Sequence, residues 1–173
     1  MVNWSFFPKT APLPKELESS ITVFKNHLEK IDSSKNDTND LRLTSDNVLS
    51  IVSNDFVQAG FKVETGKKAE DKIRVPVLYG HQGNVSQAFE VDGYHKEYQI
   101  VLEIEAGRAY TNHQFLKDVF EASVMVNVKY LVIAVRTIYK GHEDYKKITD
   151  WLETLFVTNR IKLDLNGILV IGY

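Results

Sequence analysis

Residues 89–109 read FEVDGYHKEYQIVLEIEAGRA and gather Glu90, Asp92, Glu97, Glu103 and Glu105 in a segment that otherwise has the alternation of β-strands. In YQIVLEIEA successive side chains point to opposite faces. Ile100, Leu102 and Ile104 take one face, and Val101, Glu103 and Glu105 take the other. Strand residues two apart lie roughly 7 Å apart at Cα, from two rises of about 3.3 Å, so their flexible carboxylates can converge on one ion. If the turn occupies Lys96–Gln99, His95 faces Ile100, Asp92 faces Glu103 and Glu90 faces Glu105. Four carboxylates then share one face. Like charges set opposite each other destabilise a sheet, so this register predicts a neutralising partner. Hard oxygen ligands suit Mg²⁺ or Mn²⁺. A tighter turn over Gly93–Lys96 would pair Asp92 with Glu97 instead, and a solvated sheet face would carry the same acids without an ion.

The surrounding elements must hold that hairpin. Leu17, Ile21, Phe24, Leu28 and Ile31 recur at helical spacing, after Pro12 and Pro14. The polar stretch 32–40 predicts an irregular connection. A second helix spans TSDNVLSIVSNDFVQAG, capped by Thr44 or Ser45 and closed by Gly60, with Val48, Val52, Phe56 and Ala59 inward. Short β-like runs in 61–80 flank a charged turn at 65–71. Residues 111–126 predict a helix with Phe115, Val119, Ala122 and Val126 on one face and a Thr111/Gln114 capping box. KYLVIAVRTIY is apolar enough for a strand buried on both faces. A last helix at 142–157, with Tyr145, Ile148, Leu152 and Leu155 inward, precedes the strand NGILVIGY. The order α-α-β-β-β-α-β-α-β predicts a layered α/β fold: a central mixed sheet with helices on both faces.

The 173 residues suit one domain, read as an N-terminal helix and linker over 1–43 and an α/β core over 44–173. Cys is absent, which excludes disulfides and thiolate metal sites and fits a cytoplasmic setting. The start has no secretory pattern, and the longest apolar run is too short to span a bilayer, so no membrane role is expected. A net charge of −2 argues against a generally cationic protein but permits a local basic groove.

An Asp opening a hairpin, Glu-x-Glu in the returning strand, then a helix and a buried strand resembles the PD-(D/E)XK nuclease superfamily. Asp92, Glu103 and Glu105 carry the motif, and the likeness spans roughly 44–138. It is most similar to restriction endonucleases of the BamHI/BglII type, in which Glu or Gln replaces the usual Lys. Val91 stands where a Pro often precedes the Asp, and Glu105 stands where most members have Lys. The resemblance implies a restriction endonuclease-like fold and metal-dependent hydrolysis of double-stranded DNA, with a homodimer cutting both strands. Asp92 and Glu103 would bind Mg²⁺ or Mn²⁺, with Glu105 as ligand or general base. A non-catalytic interaction module of the same fold, or a nuclease for RNA or branched DNA, fits the same letters.

Other residues have weaker standing. The resemblance suggests an accessory acid from the first core helix, where Asp55 is the candidate, or simply a boundary residue. Glu90 is a second metal ligand or a surface charge. Arg108 contacts phosphate or pairs with a neighbouring Glu. Lys117 lies early in a helix whose N-terminus favours anions, although capping alone accounts for Thr111, Asn112 and Gln114. Lys67 and Lys68, with Lys72 and Arg74, form the main basic cluster and a candidate DNA grip, diluted by Glu70 and Asp71. His95 is expected on the face opposite the acids.

Overall fold

The computed structural model describes residues 1–35 and 42–173; the part of the polar connection at 36–41 lies outside the described residues. The strand IVLEIE is β6 (Ile100–Glu105), inside a six-stranded sheet. It runs parallel to β7 (Tyr130–Val135), which runs parallel to β8 (Gly167–Gly172). β1 (Asn3–Phe7) pairs antiparallel on the outer edge of β8. On its other side β6 pairs antiparallel with β5 (Gly93–His95), which carries the two-residue β2 (Lys62–Val63). Every residue of β8 is buried, as the continuous apolar run of a covered parallel strand requires.

Helices cover both faces. Ile100, Leu102, Ile104, Val132, Ala134, Leu169 and Ile171 share one core with α1 (Glu18–Ile31) and α2 (Ser45–Gln58). Val101, Leu131, Ile133, Val135, Ile168 and Val170 share the other with α3 (Gln114–Val124) and α4 (Asp144–Thr158). This is the expected layered α/β architecture with a central mixed sheet. Among the described residues no helix is long and apolar enough to cross a membrane.

Three expectations need correction. The chain opens with a strand: NWSFF is short, and its strand character comes from pairing with the edge of β8. Residues 73–91 form a two-stranded arm of their own, β3 (Ile73–Tyr79) against β4 (Val85–Val91), separate from the main sheet. The third helix spans 114–124 with His113 at its N-cap and no side-chain cap, so Thr111 lies too early for a capping box. Val126 has left the helix, and its N–H donates to the Pro76 carbonyl at 2.8 Å, tying the arm to the body.

Candidate functional site

The hairpin register decides whether the acids meet. Gly93 pairs with Leu102, Tyr94 with Val101 and His95 with Ile100, the predicted alignment with its turn at 96–99. One step further along this register brings Asp92 to Glu103, and there the backbone ladder stops. The Asp92 side chain takes over: its Oδ2 accepts from the Ile104 N–H at 2.7 Å, while its carbonyl accepts from the Glu64 N–H at 2.9 Å. The first bond ties the carboxylate to the strand that carries Glu103 and Glu105, and the second ties the Asp92 backbone to the end of β2.

Beyond Asp92 the chain leaves the main sheet. Glu90 is exposed and lies opposite Arg74 in the β3–β4 arm, not opposite Glu105, so the fourth acid expected in the cluster is absent from it. The register rule fails here because it requires both hairpin arms to stay in one sheet. Asp55 does not reach the acids either. It pairs with His27 at 3.2 Å between α1 and α2, on the opposite side of the sheet.

The end of β6 is held from three directions. The Ala106 N–H donates to Ser45 Oγ at 3.1 Å, and Arg136 Nε donates to the Ala106 carbonyl at 2.5 Å. The Tyr173 hydroxyl donates to the Glu105 carbonyl at 3.4 Å. Ser45 therefore links α2 to the acidic strand, while Thr44 caps the helix through a reciprocal pair with Asn47.

A further acid enters from α3. Asp118 lies within the inward stripe of Phe115, Val119 and Ala122, on the same side of the sheet as Glu103 and Glu105, and only 4% of it is exposed. Asp118 is not among the expected site residues, because the apolar members of that stripe alone define the helix's inward face. The available signal was its spacing, three residues after Phe115 and four before Ala122. Asp46, in the first turn of α2, and Glu64, whose carboxylate meets Lys72 Nζ at 2.6 Å, add negative charge around Asp92.

Burial dominates the electrostatics. Desolvation raises Asp92 to about 6, with Glu64 and Asp46 adding to the rise and the Ile104 N–H opposing it. Desolvation, then the Asp92 charge, pushes Glu105 up to about 7. Asp118 reaches about 8 through desolvation, then Glu105. Glu103 is raised well above the usual carboxylate range by burial, then by Asp92, Asp118 and Glu105. Lys117 is the countercharge acting on Glu103, Glu105 and Asp118, although its ammonium also pairs with Glu121 at 3.4 Å. Among the described residues no three acidic or imidazole side chains close round a point as a ready-made metal cage.

The other predicted cations differ in position. Arg108 is exposed just past Glu105 and makes no ion pair among the described residues. Lys67 pairs with Asp46 at 3.2 Å, and Lys68 is exposed in the turn beyond it. His95 lies on the other face, as expected, with Nε2 3.1 Å from the Ala59 carbonyl and Nδ1 accepting from the Tyr98 N–H. An open depression of about 640 Å³ is lined by Gly60, His95, Lys96 and Tyr98 and sits at the hairpin turn, away from Glu105.

No protein family and no curated protein matches the sequence. Among solved structures the chain is similar to restriction endonuclease BglII complexed with a DNA 16-mer, with a TM-score of 0.56 over 99% of this chain and 77% of that one. The identity is 13%, and the likeness establishes a restriction endonuclease-like fold.

Proposed function

We propose that this chain is a metal-dependent endonuclease of the PD-(D/E)XK type that hydrolyses phosphodiester bonds in double-stranded DNA. One observation carries the reading: the bond from Ile104 N–H to Asp92 Oδ2, which holds an acid beside the strand bearing Glu103 and Glu105. The donor set fits a hard divalent cation. Mg²⁺ keeps several waters and typically takes one or two protein carboxylates plus substrate oxygens, so a closed three-ligand cage is unnecessary. Burial, and after it the neighbouring acids, raises these carboxylates, so a bound cation would relieve them.

Asp92 and Glu103 would hold Mg²⁺ or Mn²⁺, which when bound supplies charge neutralisation at the phosphate and makes a nearby water more acidic. Glu105 stands two residues further along the same face. At about 7 its carboxyl is balanced between proton acceptor and donor near neutral pH, as a general base requires. In this reading Glu105 takes the proton of the attacking water, the water oxygen bonds to phosphorus, and the bridging P–O bond breaks. The departing oxygen takes its proton from solvent. Lys117 and Arg108 orient the phosphate from the α3 side. Two copies of the chain would serve the two strands, which sedimentation on a bound duplex measures.

The test is cleavage of a supercoiled plasmid with Mg²⁺ or Mn²⁺. Wild-type protein and Asp55→Asn should nick and linearise it, whereas Glu103→Gln and Asp92→Asn should be slower by at least about 100-fold. Wild-type protein that binds Mn²⁺ through these acids yet cuts no DNA or RNA would instead be a non-catalytic module of this fold.

A further inference from the structure

Asp118 is placed by the helix that carries it. Phe115, Val119 and Ala122 are all buried under the sheet, and Asp118 shares their stripe, so seating α3 drives its carboxylate inward. Only 4% of the residue is exposed, and Oδ2 has no hydrogen-bond partner among the described residues. Its charged surroundings are mostly of its own sign: Glu105, Glu121 and Asp92 act on it against Lys117 alone. Lys117 is itself 57% exposed and shared with Glu121, which leaves Asp118, Glu103, Glu105 and Asp92 with too little positive charge between them. A desolvated carboxylate needs either a proton or a cation.

We propose that Asp118 is a metal-binding carboxylate and that, with Glu105, it holds a second divalent cation beside the one assigned to Asp92 and Glu103; Glu105 would then serve as ligand in place of its role as base, and the ions would supply the acidification of the water. This rests on the reading of the acidic β6 face as a metal site. Glu103 and Glu105 lie roughly 7 Å apart at Cα, so their carboxylates can serve neighbouring ions at the ~4 Å separation of two-metal sites. Asp118 approaches that face from α3, which packs on it, and not from the hairpin that carries Asp92. Two protein carboxylates, completed by water or phosphate oxygens, are an ordinary ligand set for Mg²⁺ or Mn²⁺.

The experiment is titration of the full chain with Mn²⁺, reading free Mn²⁺ by electron paramagnetic resonance. Wild-type protein should bind two ions. Asp118→Asn, which keeps the shape of the side chain, and Glu105→Gln should each lose one or bind it at least about tenfold more weakly, while Asp92→Asn loses the other. The Mn²⁺ dependence of plasmid cleavage should fall from second order to first in Asp118→Asn. Circular dichroism melts in EDTA check folding, and Asp118→Glu, which restores a carboxylate, should recover part of the second site. One ion lost in Asp92→Asn and untouched by Asp118→Asn would overturn the proposal and leave the β6 site standing. No Mn²⁺ bound by wild-type protein would overturn both.

Discussion

Glu105 and Asp118 reach the acidic face from different elements, the strand β6 and the helix α3. Glu105 follows from period two alone, because a strand with Ile100, Leu102 and Ile104 inward must send Glu103 and Glu105 to the other face. Asp118 is equally regular at period 3.6, but a polar residue in an apolar stripe is normally assigned to the boundary, and only the seated helix reveals its burial. Together with Asp92, these acids have a consequence for stability. Asp92, Glu105 and Asp118 titrate at about 6, 7 and 8 in the folded chain, all above their unfolded values. Between about pH 4 and 8 the folded state therefore binds more protons than the unfolded state, and stability falls as pH rises. This is the reverse of a salt-bridged carboxylate. Each unit of upward shift costs up to about 1.4 kcal/mol once the pH exceeds both values. In EDTA the melting temperature should drop by at least about 5 °C from pH 5 to pH 8, given about 2–4 °C per kcal/mol for a chain of this size. Asp118→Asn should flatten that slope, and saturating Mg²⁺ should flatten it further. A wild-type melting temperature that rises over this range would remove the electrostatic basis of the site.

At the scale of elements, the helices and central strands were legible wherever one periodicity ran unbroken. Two strand features were not. FEVDGYH reads as one strand, but it changes sheets at Asp92, and no alternation pattern announces that the partner has changed. NWSFF needs the edge of β8 to become a strand at all. The join between α2 and the hairpin is more exacting. Gly60 closes α2 at φ +95°, and an added Cβ would lie 2.6 Å from His95 Nε2. His95 has little room to move, being 6% exposed and bonded to the Tyr98 N–H at the turn that sets the register. Gly60→Ala should therefore cost about 2–4 kcal/mol, combining a left-handed backbone with overpacking. Urea unfolding should show a lower midpoint at unchanged slope. Plasmid cleavage should fall as well, because displacing His95 disturbs the register that brings Asp92 to Glu103. Full activity in a destabilised Gly60→Ala chain would show that the register tolerates the shift.

Across the whole molecule, charge sets the terms of any encounter with DNA. The net charge is −2, and the acidic face repels phosphate until cations neutralise it. Lys72 near Asp92, Lys117 near Glu105 and Arg108 just beyond β6 supply positive charge around that face, but Lys72 and Lys117 are already engaged by Glu64 and Glu121. Divalent metal should therefore act on binding as well as on chemistry. In Ca²⁺, a larger oxygen-binding cation that supplies the same charge, duplex affinity should exceed that in EDTA by at least about tenfold, or 1.4 kcal/mol. Above pH 8, where Glu105 has lost its proton even without metal, Glu103→Gln combined with Glu105→Gln should bind in EDTA more tightly than wild-type protein does in EDTA, because it removes charge that the ion would otherwise neutralise. Lys117→Ala should weaken binding to every sequence alike and reduce the slope of log affinity against log salt by about 1, as loss of one phosphate contact does. Fluorescence anisotropy on a labelled duplex measures all three. If EDTA leaves wild-type affinity unchanged, DNA does not approach the molecule over the acidic face, and the site must be sought on another surface.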